Sequence, residues 1–155
     1  MKDNKDLQNY LEKNKINATI LKLDGNTKTA HDAADVLKVD KKHIVKSVVF
    51  IRKGGKPLIA IVSGEDRASF DKIENYIKET INTASPEDVL NLTGYVAGGV
   101  PPIGTDVETF VDEKVAKMDV CYAGGGTQNH ILKISTKDII KFSKGTILDI
   151  KKHGN

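Results

Sequence analysis

Two apolar segments separated by a short glycine-containing link constrain this chain more than any other feature. Residues 44–52 and 57–63 read as two strands, and Lys53-Gly54-Gly55-Lys56 joins them as a hairpin. Helices are expected around this unit. Leu7, Tyr10 and Leu11 have helical spacing near the start, and Ile73, Tyr76 and Ile77 share a face within Asp71 to Glu79. Thr29-Ala30-His31-Asp32 resembles a capping box that opens a short helix through Leu37, with Asp32 in place of the commoner Glu. Asp40 is positioned to cap a further turn.

Ser85-Pro86-Glu87-Asp88 starts another helix, because Ser caps, Pro suits the first turn and acids favour the positive helix end. That helix should end near Gly94. Ser135 should cap a last one, stopped by Gly145. Residues 18–23, 107–111, 118–122 and 130–134 read as further strands. Strands and helices interleave irregularly. The expected fold is therefore mixed α/β (α+β), with a largely antiparallel or partly closed sheet flanked by helices. No Pro/Gly/Ser-rich linker or repeat divides the 155 residues, so residues 1–155 are expected to form one domain.

A single cysteine, Cys121, excludes an intramolecular disulfide and the usual multi-cysteine zinc sites. His31, His43 and His153 lack metal-ligand spacing, so no metal or cofactor is expected. The charged start Met1-Lys2-Asp3-Asn4-Lys5-Asp6 is unlike a signal peptide. Apolar runs such as Val48 to Ile51 are too short to span a bilayer. We expect no membrane partner and a cytoplasmic location. A net charge of +3 permits contact with a nucleic-acid backbone without requiring it.

Three features stand out as candidates for chemistry. The strand period places Lys46 on the same side as Ile44, Val48 and Phe50. A lysine among three large apolar residues either snorkels into water from the strand end or is held as a cation at a pocket rim. In Ala97-Gly98-Gly99-Val100-Pro101-Pro102-Ile103-Gly104, two glycines allow close backbone approach and two prolines stiffen the loop. That loop is either a plain connection or a rigid cradle of backbone N–H groups able to hold an oxyanion. It is neither a Walker loop nor a dinucleotide fingerprint. Gly124-Gly125-Gly126-Thr127-Gln128-Asn129-His130 is either a long hairpin or a polar segment beside flexible backbone. Cys121, alternating within a strand, reads as a core thiol.

Taken in order, Thr29 to Ala34, Ile44 to Ser47, Gly98 to Pro102 and Gly124 to Ile134 resemble the YbaK family of aminoacyl-tRNA deacylases, which includes the prolyl-tRNA synthetase editing domain. The resemblance runs from about Thr29 to Ile150. It implies hydrolysis of the ester between a mischarged amino acid and the terminal adenosine of tRNA. It implies aminoacyl-tRNA as partner, an aminoacyl-tRNA synthetase as a further one, and no metal. On matched positions, Lys46 anchors the substrate, and Gly98, Gly99 and Pro102 belong to the Gly-x-x-x-Pro loop that holds the aminoacyl group. Thr29, Ser47, Val100, Pro101, Gly125, Gly126, Asn129 and His130 are implied to line the substrate. Some relatives carry an acid where this chain has Asn129 and His130, which bears on the amino acid preferred. Ser47, by strand period, should point opposite to Lys46. A non-catalytic module that binds tRNA or a synthetase, and a hydrolase of another small acyl ester, remain alternatives.

Overall fold

A computed structural model of the chain describes residues 1–24 and 29–153. It has mixed α/β architecture. The helices are α1 (Asn4–Lys13), α2 (Ala30–Leu37), α3 (Phe70–Ile77), α4 (Pro86–Thr93), α5 (Glu113–Ala116) and α6 (Thr136–Ser143). The strands are β1 (Thr19–Lys22), β2 (Val45–Arg52), β3 (Pro57–Ser63), β4 (Asp66–Ala68), β5 (Ile81–Thr83), β6 (Thr109–Asp112), β7 (Val120–Gly124), β8 (His130–Ser135), β9 (Thr146–Leu148) and β10 (Lys151–His153).

The expected hairpin forms the heart of the molecule. β2 and β3 run antiparallel with Val45 opposite Ser63 and Ile51 opposite Pro57. Gly54 and Gly55 both take positive φ in the connecting turn, where a side chain would be strained. Around this pair the sheet order is β5-β2-β3-β6-β9, and β3–β6 and β6–β9 are parallel. β3 is buried on both faces, so alternate side chains feed two cores. Ile59 and Ile61 join Val45, Val49 and Val111 in one, and Leu58, Ala60 and Val62 join Phe50, Ile73 and Phe110 in the other. A second sheet, β1-β8-β7, is antiparallel, and β4 pairs with β10.

The caps follow the side chains. Thr29 accepts from the Asp32 amide at 3.1 Å, and Ser85 and Asp88 form a reciprocal box. Gly94 ends α4 at φ +85°. Elsewhere lysine does this work: α2, α3 and α6 stop at Lys38, Lys78 and Lys144, each left-handed. Gly145 is therefore not the stop of α6. A Cβ there would meet Val111 Cγ2 at 2.8 Å, so close packing fixes this glycine. The strands expected at 107–111 and 118–122 start two residues later than read, at Thr109 and Val120. The short strands β4, β5, β9 and β10 carry too few residues for a visible period. Among the described residues, no helix is long and apolar enough to cross a membrane.

Candidate active site

β2 is paired with β3 along its length, but its other edge is only half covered. β5 pairs with Phe50 to Arg52, and the Ala84 amide reaches the Val49 carbonyl at 3.0 Å. At the opposite end, Ile44 makes an isolated parallel bridge to Tyr122 just before β2 begins. Between these points, Val45 to Val48 pair with no strand on this edge among the described residues, although β7 lies close by. A cavity of about 450 Å3 lies along this gap.

Its wall includes all four residues from Val45 to Val48, Ala123 and Gly124 of β7, and Gly98 and Val100 of the glycine–proline loop. Thr29 to His31 and Ala33 bring in the start of α2, and Gly64 to Arg67 bring in the corner between β3 and β4. Gly64 is required at that corner: a Cβ would stand 2.7 Å from the Ile44 carbonyl oxygen and 2.8 Å from Ala30 Cβ. Because the cavity lies along a strand edge, side chains from both faces of β2 reach it. Ser47 therefore shares the wall with Lys46, although the two alternate along the strand.

Lys46 is half-buried, and its Nζ donates to the main-chain carbonyl of Asp66 at 2.5 Å. Burial pulls its pKa below the ordinary lysine value; the charge of Lys41 adds to this, Asp66 opposes it, and Arg67 adds again. The Asp66 carboxylate is engaged elsewhere, with Lys114 Nζ at 2.9 Å and His153 Nδ1 at 3.4 Å. The cation in the cavity is thus oriented by a carbonyl dipole and is not neutralised by a carboxylate. Ser47 Oγ is shielded from solvent and has no hydrogen-bond partner among the described residues.

The two glycine-rich loops pack on each other. Gly126 N–H donates to the Gly99 carbonyl at 2.9 Å. A Cβ on Gly99 would stand 2.9 Å from Thr127 backbone, and one on Gly124 would stand 2.2 Å from the Val100 oxygen. Gly98 has positive φ (+87°), and only Gln128 Cγ, at 3.8 Å, would lie near an added Cβ. Gly99 N–H donates to the Val96 carbonyl at 2.9 Å, whereas those of Gly98 and Val100 have no backbone partner among the described residues.

Of the residues singled out from the sequence, Thr29, Lys46, Ser47, Gly98 and Val100 meet at this cavity. The others lie outside its wall. Gly99 and Pro101 are buried behind it, and Pro102 borders a separate cleft with Tyr10, Asp106 and Lys144. Gly125 packs on the His130 backbone and Gly126 on Asp3 and Asn4. Thr127 Oγ1 binds Asn129 Oδ1 at 2.8 Å and His130 Nδ1 at 2.5 Å, and His130 borders a groove with Lys5 and Lys22. Glu65, Asp66 and Arg67 are wall residues that the sequence did not single out, and His31 and Lys41 join them there. Cys121 is buried against Thr136, and burial pushes its thiol up, away from the thiolate. Among the described residues no three of His, Cys, Asp and Glu gather as metal ligands.

Residues 24–142 match the model of the aminoacyl-tRNA editing domain, a span that contains every segment of the cavity wall. The chain belongs to the aminoacyl-tRNA editing domain family. A protein of Bacillus subtilis (strain 168) named only as uncharacterized protein YwhH is 24% identical over 126 residues, covering 80% of each chain. A proline–tRNA ligase of Finegoldia magna is 30% identical over 111 residues, 70% of this chain but 19% of the ligase. This editing domain thus spans about a fifth of that enzyme's length. A solved structure named as a candidate trans-editing enzyme for prolyl tRNA synthetase has a TM-score of 0.89 at 28% identity and covers 96% of both chains.

Proposed function

We propose that this editing domain hydrolyses the ester that links a wrong amino acid to the 3′ end of tRNA, acting in trans on the released aminoacyl-tRNA. The single observation that carries the reading is convergence: Lys46 from β2 and Gly98 and Val100 of the glycine–proline loop line one cavity of about 450 Å3. That volume suits an aminoacyl group with part of its ribose.

An aminoacyl ester is already activated, so positioning and charge stabilisation are the main demands on the site. The Lys46 ammonium holds an oxygen of the substrate at the cavity wall by a charge-assisted hydrogen bond. Gly98 and Val100 supply the N–H groups for the tetrahedral oxyanion, since neither is committed to a backbone partner. Gly99, whose N–H is tied to Val96, together with Pro101 and Pro102, fixes the loop instead. Gly126 braces that loop through its N–H to the Gly99 carbonyl, and Gly125, Asn129 and His130 lie outside the cavity wall. Thr29 and Ser47 border the aminoacyl group. Water attacks the carbonyl carbon, the ester C–O bond breaks, and the departing ribose oxygen takes up the proton that the water loses. The neighbouring ribose hydroxyl of the substrate orients that water. The reading places the protein in the cytoplasm, with aminoacyl-tRNA and its synthetase as partners.

Incubation with tRNAs carrying alanine, cysteine, serine or threonine tests this. At least one amino acid should be released, and Lys46→Ala should slow release by about two to three orders of magnitude without lowering the unfolding temperature. Tight tRNA binding with no release from any charged tRNA would refute catalysis and favour a binding module.

A further inference from the structure

The mouth of the cavity carries more positive charge than the ester chemistry uses. Lys41, Lys46 and Arg67 all border it. The acids on the same wall do not offset them. Glu65 pairs with Lys114, and the Asp66 carboxylate is shared between Lys114 and His153. His31, also on the wall, pairs with Asp35 at 3.3 Å on the exposed side of α2. Neither Lys41 nor Arg67 has a carboxylate partner among the described residues. The start of α2, capped by Thr29, adds the positive end of a helix dipole to the same rim. Arg67 is exposed, Lys41 part-buried and Lys46 half-buried, so the positive charge runs from solvent inward.

We infer that Lys41 and Arg67 form a phosphate subsite at the cavity mouth, which takes the phosphodiester on the 5′ side of the nucleoside whose ribose carries the ester. This rests on the deacylase reading for the identity of the ligand. In a charged tRNA that phosphodiester is the fixed anion closest to the ester, one ribose away. Arg67 offers a planar fork of donors suited to two phosphate oxygens, and Lys41 offers a point charge. Lys46, deeper in the cavity, is left for the ester.

The test is a binding titration with two non-hydrolysable probes: 3′-deoxy-3′-(seryl- or alanylamino)adenosine, with and without a 5′-phosphate. In the wild-type protein the phosphate should strengthen binding about tenfold, as expected for hydrogen bonds to a charged group. Lys41→Ala and Arg67→Ala should each remove much of that gain, and the double variant all of it, while affinity for the unphosphorylated probe stays unchanged. Lys137→Ala, an exposed cation on α6, should keep the full gain. Equal binding of both probes by the wild type, binding of neither, or a persistent tenfold preference in the double variant would overturn the subsite. Binding needs no turnover. A protein that discriminates the probes yet releases no amino acid from tRNA would refute the deacylase and leave the subsite standing.

Discussion

The Lys46 ammonium and Asp66 are joined through the wrong end of the aspartate: the main-chain carbonyl accepts the lysine at 2.5 Å, while the carboxylate turns to Lys114 at 2.9 Å. A buried lysine beside an aspartate would ordinarily form an ion pair that lifts its pKa. Here burial wins, and the Lys46 pKa is lowered.

A pH dependence follows. Below its lowered pKa Lys46 is charged in both folded and unfolded chains, and its burial opposes folding. Between that pKa and the ordinary lysine value the unfolded chain binds more protons, so stability rises with pH through this window. Deacylation should move the other way, falling as pH climbs through the same window because the anchoring ammonium loses its proton. Rate profiles on a mischarged tRNA would check this. A rate that stays flat up to the ordinary lysine range contradicts it. Lys46→Arg, where active, should lose the alkaline fall.

Ser47→Ala should leave the free protein as stable as before or more so, by about 1 kcal/mol, because its hydroxyl is shielded without a partner. Substrate handling should change instead, with relative rates on serine and alanine esters shifting by about tenfold. Thermal unfolding and a charged-tRNA panel read the two effects separately. A clear loss of stability would mean that the hydroxyl has a partner in solution.

Gly98 and Gly124 should respond differently to alanine. Gly98→Ala makes only an ordinary contact with Gln128 Cγ at 3.8 Å, so its cost is that of the left-handed backbone, about 1–2 kcal/mol. Gly124→Ala drives a methyl group to 2.2 Å from the Val100 oxygen and must part the two loops, at a cost of about 3 kcal/mol or more. Denaturant unfolding of both variants gives the order. Equal losses would show that the loops yield.

Lys114→Met should destabilise the fold by about 2 kcal/mol, since the almost fully buried Asp66 carboxylate then keeps only His153 and more distant charges. Adding Asp66→Asn to that variant should recover part of the loss. A double-mutant cycle that comes out additive would rule out the coupling.

The hairpin was legible because its signals are local: two short apolar runs on either side of Gly54 and Gly55. Lys46 was legible as a charge on an apolar strand side. The Asp66 carbonyl was not, because a main-chain acceptor leaves no trace in residue type. Ser47 was read as facing away from Lys46, since strand period says nothing of a cavity that lies along a strand edge. Gly125 and Gly126 looked like flexible backbone next to a ligand. Their neighbours, the His130 backbone and the turn before α1, come from folding and not from adjacency. Lys41 starts a single 3-10 turn (Lys41–His43) and Arg67 lies in β4, and the corner at Gly64 brings them to one mouth.

β5 is three residues long, and its brevity has a chemical outcome. Four more paired residues would have covered the second edge of Val45 to Val48 and closed the cavity proposed to hold the ester. An insertion that lengthened β5 would therefore silence the protein without touching Lys46 or the glycine–proline loop, by letting the chain bind itself where its substrate should go.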